Sequence, residues 1–274
     1  MNHQNRTRAF VSLLALLAVT TASAQWTSVG NGIDYREFTI TMSDGKLNNL
    51  FAARMTVSNT NCIVGSMIAQ NRVAGATERV SLQAARYEDA INYWGESWGK
   101  RNDVVVAING SFYSGGVITG GHIYDGWYAK RFDDWGGQMG FVWKLDRSYF
   151  NGVCYHYVAD DHTVTVGGSS RHFVGINVAR GADQLILYTP QYNNNTLTDN
   201  SGVEVLVELT TPLLILSPPN TVTGTIRQVR VGQGATSIPF DQLVLSGAGT
   251  AATFLQNQAC SRLRKAAARS SRLR

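Results

Sequence analysis

Val104-Val105-Val106-Ala107-Ile108-Asn109-Gly110-Ser111-Phe112-Tyr113-Ser114-Gly115-Gly116 is the stretch around which the chain reads. Its first half is a continuous run of mostly β-branched apolar residues, the pattern of a strand covered on both faces. Its second half changes to Asn-Gly-Ser, two aromatics and a glycine pair. Polar groups then follow at the strand's carboxyl end, where α/β sheets often place their sites. The segment just before it, 77–98, makes the best helix. Val80, Ala84, Tyr87, Ile91, Trp94 and Trp98 recur every three or four residues and so share one face. Thr77 can cap that helix, Glu78 favours its dipole, and Gly99 with Lys100 and Arg101 can close it. The aromatic stripe reads as core packing rather than as a ligand platform.

Strand patterns fill most of the remaining body. Segments 32–40, 50–57 and 62–68 precede the helix, the last two joined by Asn59-Thr60-Asn61. Segment 139–145 follows the opening stretch, and 154–158 with 163–166 reads as a hairpin. Further strands are expected at 173–178, 184–188, 203–209, 223–231 and 242–245. A strand-rich body with one strong amphipathic helix is α+β with a mixed sheet. No internal repeat and no Pro- or Ser-rich linker divides it. The expected segments are a leader at 1–24, N-terminal strands and helix at 25–102, the main domain at 103–258 and a basic tail at 259–274.

Of the 274 residues 44% are hydrophobic and 16% charged, which excludes a disordered chain. Arg6 and Arg8, the apolar run 10–19 and Ala22-Ser23-Ala24 make a secretory leader, so an exported, periplasmic or extracellular protein is expected. That run is too short to span a bilayer and no later run is longer, so no integral membrane segment is expected after its removal. The net charge of +5 comes from the ends: without the six basic residues of 261–274 and the two of the leader the body carries −3. The basic balance therefore points to no nucleic-acid partner. Export permits a Cys62–Cys154 disulfide, with Cys260 left in the tail, and buried thiols fit as well. Neither cysteine spacing nor a histidine cluster suggests zinc, and the residues single out no particular cofactor.

Common catalytic motifs are missing: no Gly-x-Ser-x-Gly, no His-Glu-x-x-His, no phosphate-binding loop and no dinucleotide fingerprint. Asn109, Asp125, Arg180, Glu204 and Ser246 stand at strand ends or turn borders, and His122 lies in a Gly-rich loop. Carboxylates so placed can serve as acid, base or nucleophile on a glycosidic bond. An arginine there can hold a phosphate with its planar fork. In Val203-Glu204-Val205-Leu206-Val207-Glu208, valines facing the core would put Glu204, Leu206 and Glu208 on the other face. A solvent-face residue is the alternative for Glu204.

Several segments in order resemble the phosphodiester glycosidase family. Ala107-Ile108-Asn109-Gly110-Ser111-Phe112-Tyr113 is like its A-I-N-G-x-F-[FY], followed by the loop 120–126. Residues 176–190, Ile-Asn-Val-Ala-Arg-Gly-Ala-Asp-Gln-Leu-Ile-Leu-Tyr-Thr-Pro, are similar to its I-N-x-x-R-x-x-[DN]-x-L-x-L-Y-T-P. Thr196, Thr198 and Gly202-Val203-Glu204-Val205 follow as in T-x-T-x(n)-G-x-E-V, and Val244-Leu245-Ser246-Gly247-Ala248-Gly249 resembles a later strand and turn. The resemblance implies hydrolysis of a sugar-1-phosphodiester, with a sugar-phosphate or polysaccharide as partner. It implies Glu204 and Asp125 as catalytic carboxylates, and Asn109, Gly110, Ser111, Arg180, Ser246 and His122 as substrate-binding residues. The family's P-R-T-[AS]-[VI]-G and D-G-G-G-S segments do not follow, so a C-terminally truncated domain is expected, inactive if those segments are needed, with sheet edges open to association. A non-catalytic glycan-binding domain using Tyr124, Trp127, Tyr128 and Trp135 is the alternative.

Overall fold

A computed structural model describes residues 25–75, 77–92, 103–110, 112–124, 127–131, 139–153, 162–210 and 221–259. The chain divides into two units at Cys62/Ile63. In the first unit β1 (Thr27–Gly30), β2 (Ile33–Thr41) and β3 (Leu47–Met55) form an antiparallel sheet in that order. β2 and β3 pair without a slip from Ile33↔Met55 to Thr41↔Leu47. Arg54 pairs with Asp34 at 2.9 Å and lies over the Trp26 ring, so the sheet surface is tied by charge and aromatic contact. The Asn31 carbonyl accepts from Asn59 Nδ2 at 2.9 Å and from Cys62 Sγ at 2.6 Å. Cys154, the other half of the disulfide expected, lies outside the described residues.

The second unit begins with two departures from the sequence expectation. Residues 62–68 form no strand and run into a short 3₁₀ turn, Ala69–Asn71, where Gln70 and Asn71 have φ of 50° and 56°. Helix α1 (Val80–Asn92) starts later than Thr77, because the Arg79 carbonyl takes its first bonds, from Leu82 and Gln83 N–H at 3.0 Å. Glu78 precedes the helix. Its carboxylate accepts from Gln70 N–H (2.8 Å) and from Arg86 Nε and Nη2 (3.1 and 2.8 Å), joining the turn to the helix. The Arg86 guanidinium is the main cause holding the Glu78 carboxyl below its ordinary value. A depressed folded-state value gives stability present above the unfolded carboxylate pKa and lost as pH falls through the folded one. Glu78→Gln should therefore melt earlier than wild type at about pH 7, by roughly 1 kcal/mol, and show no deficit at about pH 2. Calorimetry at the two pH values checks this, and a deficit independent of pH would refute it.

The Val104–Ile108 run, read as a buried strand, is not one. Residues 103–110 form no strand and pair with none among the described residues, and Val105, Val106 and Ile108 are exposed, the last at 80%. β-branched residues favour extended backbone, but burial requires partner strands, and these lie elsewhere in the chain. Val104 N–H is instead tied to Glu88 Oε1 on α1 at 2.9 Å. The glycine pair makes a hairpin turn between β4 (Tyr113–Ser114) and β5 (Val117–Ile118). Gly115 and Gly116 have φ of 57° and 77°, the conformation of a primed two-residue turn. Three more antiparallel hairpins follow. They are β6 (His122–Tyr124) with β7 (Trp127–Lys130), β8 (Met139–Trp143) with β9 (Tyr149–Val153), and β10 (Thr163–Val166) with β11 (Ser169–His172). Segment 163–166 thus pairs onward across Gly167-Gly168, while 154–158, its expected partner, lies outside the described residues, as do 93–98 of the helical stripe.

The main sheet joins β12 (Gly175–Ile176), β13 (Leu185–Tyr188), β14 (Val203–Leu209), β15 (Gly224–Val231) and β16 (Gln242–Gly247) in the order β12-β13-β16-β14-β15. β12–β13 is parallel and the other pairs antiparallel, so the sheet is mixed and the fold α+β. On one face Leu185, Leu187, Val203, Val205, Leu243 and Leu245 pack against Ala251, Leu255 and Ala259. These last three belong to helix α2, which runs over residues 249–259, where no helix was expected. Ile186, Tyr188 and Val244 face the other way and pack against Ile68, Val73, Val178, Tyr192 and Ile238. Covering both faces is why the inner strands β13 and β16 are mostly apolar. The edge strand β15 carries Arg227, paired with Glu208, and Arg230, and such charge blunts an open edge.

Two side chains close the joints of this sheet. Asn177 (φ 55°) is fully buried, donating from Nδ2 to the Ala129 carbonyl (2.8 Å) and Thr189 Oγ1 (2.7 Å) and accepting Thr189 N–H at Oδ1 (2.8 Å). Asp183 Oδ1 accepts Thr250 N–H at 2.8 Å and so caps α2. No helix among the described residues is long and apolar enough to cross a membrane, which says nothing of strands.

Candidate functional site

The register of the main sheet puts Ile186, Ser246, Glu204 and Arg230 in one row across β13, β16, β14 and β15. Directly opposed residues share a face. Glu204 therefore lies beside Ser246 on the face that carries Tyr188 and Val244. It is fully buried, which corrects the solvent-face alternative and bears out the alternation of Val203 and Val205 toward the core. Its cover comes from two loops that pair with each other. Thr196 N–H donates to the Thr236 carbonyl (3.1 Å), Ile238 N–H to the Asn194 carbonyl (3.0 Å) and Gly232 N–H to the Gly202 carbonyl (2.9 Å). At Gly234 a Cβ would stand 2.1 Å from the Asp199 carbonyl oxygen, so only glycine permits this approach.

Both Glu204 oxygens are engaged. Thr198 Oγ1 donates to Oε1 at 2.8 Å, and Thr196 Oγ1 and Thr236 N–H donate to Oε2 at 3.1 and 3.0 Å. Arg180 approaches the row from the segment after β12. Its side chain is only 4% exposed, and Nη1 donates to Ser246 Oγ at 2.9 Å. Nη2 donates to Asp199 Oδ1 (2.6 Å), the Asp199 carbonyl (3.3 Å) and Ser201 Oγ (3.4 Å). Hydrogen bonds from the Ser201 hydroxyl and N–H, then the Arg180 charge, hold the Asp199 carboxyl below its ordinary value. Gly202 makes room for the guanidinium, since a Cβ there would sit 2.5 Å from Arg180 Nη1. Tyr188 is buried nearby. Burial first, then Tyr192, pushes its phenol far up, and the hydroxyl stays protonated.

Three of the expected site residues thus converge: Arg180, Ser246 and Glu204. Asn109 and Gly110 sit in the exposed segment 103–110 with no hydrogen bond to that cluster among the described residues. His122 is on β6 in register with Lys130, and burial lowers its imidazole pKa. It too makes no hydrogen bond to the cluster among the described residues. Ser111 and Asp125 lie outside the described residues. Tyr128 is packed rather than offered to a ligand: its hydroxyl accepts from Arg131 Nη1 and its ring meets His162 edge-on at 5.7 Å. Trp135 lies outside the described residues.

Thr236, Asp199 and Ser201 are site residues that the sequence reading did not single out. Thr196 and Thr198 were visible through the resemblance, and their spacing of two, which places both hydroxyls on one side of an extended chain, was the available signal. Nothing in the sequence marks the Thr236 N–H, a backbone donor brought from 40 residues away from Thr196 by tertiary structure. Among the described residues no group of three or more His, Cys, Asp or Glu is placed to hold a metal ion.

No protein-family model matches the chain, and no curated protein matches it. Among solved structures it is similar to the crystal structure of a hypothetical protein from Synechocystis, with a TM-score of 0.51 at 15% identity. The match covers 80% of this chain, and the chain spans 36% of that one. At that identity the likeness speaks for the fold alone.

Proposed function

We propose that the second unit is a phosphodiester glycosidase-like domain of an exported protein that hydrolyses a sugar-1-phosphodiester at the anomeric carbon. The observation carrying this is a nearly buried guanidinium, Arg180, bonded to Ser246 directly beside the Glu204 carboxylate. Phosphate leaves an anomeric carbon far more readily than an alkoxide, so the site needs little general-acid help. It needs charge stabilisation on the phosphate oxygens, a held sugar and a carboxylate to assist water or attack directly. Arg180 supplies the first with its planar fork, Ser246 Oγ positions that fork, and Glu204 is the carboxylate in place for the third. The chain incubated with a sugar-1-phosphodiester should release reducing sugar. Arg180→Ala should lower the rate at least about tenfold, the worth of a lost charge-assisted hydrogen bond. No release by the wild-type chain would sink the proposal.

One observation favours a non-catalytic glycan-binding domain instead. Both Glu204 oxygens accept hydrogen bonds from the fold, as in a structural carboxylate, while Phe141 and Tyr149 on the β8–β9 hairpin are exposed, with Trp143 stacked on Tyr149 at 6.5 Å. In that reading the chain retains a sugar-phosphate polymer without releasing sugar.

A further inference from the structure

The Arg180 guanidinium is largely out of water, and a buried cation needs an opposing charge. No hydrogen bond joins Glu204 to it among the described residues; the Glu204 oxygens accept from Thr196, Thr198 and the Thr236 N–H. Ser246 and Ser201 offer neutral hydroxyls. Among the described residues the only anion hydrogen-bonded to Arg180 is Asp199, whose own side chain is 74% exposed. The pair is therefore lopsided: the cation is buried and its anion stands in solvent.

Oδ1 of Asp199 is also a point of convergence. It receives Arg180 Nη2 at 2.6 Å, Ser201 N–H at 2.9 Å and Ser201 Oγ at 2.5 Å. A guanidinium N–H, a backbone N–H and a hydroxyl aimed at one oxygen form a seat for an oxyanion. Asp199 and Ser201 are neighbours in a turn and would bond each other in any case. Arg180 is not local, and its arrival turns a turn contact into a charged seat.

We infer that the Asp199 carboxylate is a displaceable stand-in for the phosphoryl oxygen of a phosphate ester, so that the 199–201 turn restrains phosphate capture at Arg180. This rests on Arg180 as the phosphate clamp proposed above. Asp199 holds Arg180 with one carboxylate oxygen, whereas a phosphate ester offers several to the same donors. Leaving the seat takes Asp199 from one solvated position to another and costs it little, while the guanidinium exchanges one anion for another.

The probe is inorganic phosphate, titrated against the full chain by calorimetry and by thermal shift. Asp199→Asn should bind phosphate roughly tenfold more tightly than wild type, because the competing charge is gone and the turn is kept. Its melting temperature should rise with added phosphate more steeply than that of wild type. The gain should vanish in Asp199→Asn/Arg180→Ala. Equal or weaker phosphate binding by Asp199→Asn, or a gain that survives loss of Arg180, overturns the inference. Asp199→Ser repeats the measurement if the Asn variant does not fold. Failure of both to fold makes Asp199 a structural clamp and overturns it as well. Sugar release without the phosphate gain refutes the displaceable carboxylate alone. The gain without sugar release refutes the hydrolase reading alone.

Discussion

Glu204→Ala should destabilise the second unit by about 3–5 kcal/mol, much of the stability such a domain possesses. The cost comes less from the missing carboxylate than from what it leaves behind. The buried Thr196 Oγ1 and Thr236 N–H and the half-buried Thr198 Oγ1 would each lose their charged acceptor and keep only the neutral contacts among themselves, and the Thr236 N–H joins the two covering loops. Glu204→Gln should be milder for stability, since its carbonyl still accepts, although its amide turns a donor toward donors. For turnover the order reverses in meaning: if Glu204 assists water or attacks the anomeric carbon, the Gln variant should be folded and slower by orders of magnitude. Denaturant unfolding of both variants, with sugar release measured on the Gln variant, separates the two roles. A Gln variant with full activity removes Glu204 from the chemistry. An Ala variant with wild-type stability would contradict the three-donor network.

Gly202→Ala should cost about 2–3 kcal/mol and should also weaken phosphate binding and sugar release. The added methyl would stand 2.2 Å from the Gly247 carbonyl oxygen and 2.5 Å from Arg180 Nη1. The carbonyl belongs to β16, which is paired on both sides, so the backbone leading into β14 must shift, and the guanidinium, as the flexible neighbour, must yield as well. Arg180 would then leave Ser246, and the effect reaches the site through packing rather than through any lost functional group. Urea titration together with phosphate calorimetry on the folded variant checks this. An unchanged phosphate affinity would show that Arg180 keeps its place.

The sequence was informative where local pattern and burial agree. The segments 203–209 and 242–245 and most of 184–188 and 223–231 are strands of the main sheet; the first three are rich in apolar residues that the sheet buries, and the last alternates along its edge. The 104–108 run has the same composition and failed, since an apolar extended segment becomes a buried strand only when neighbours accept its backbone. Helix α2 was hidden for the opposite reason. Ala251, Leu255 and Ala259 are spaced four apart, but Ala- and Gln-rich residues leading into a basic stretch carry little amphipathic contrast.

From residue order alone the α+β class follows, along with the alternation that sends Val203 and Val205 one way and Glu204 the other. So do the turn chemistry of the glycine pairs and the suspicion that Arg180, Glu204 and Ser246 belong to one site, in a set that also held Asn109, Asp125 and His122. Only the tertiary structure placed Ser246 beside Glu204 and Arg180 against Ser246, and turned Asp199 into a counterion. Strand register and loop pairing join residues 19 to 66 positions apart, and local preference specifies extended backbone without specifying which extended segment lies alongside it.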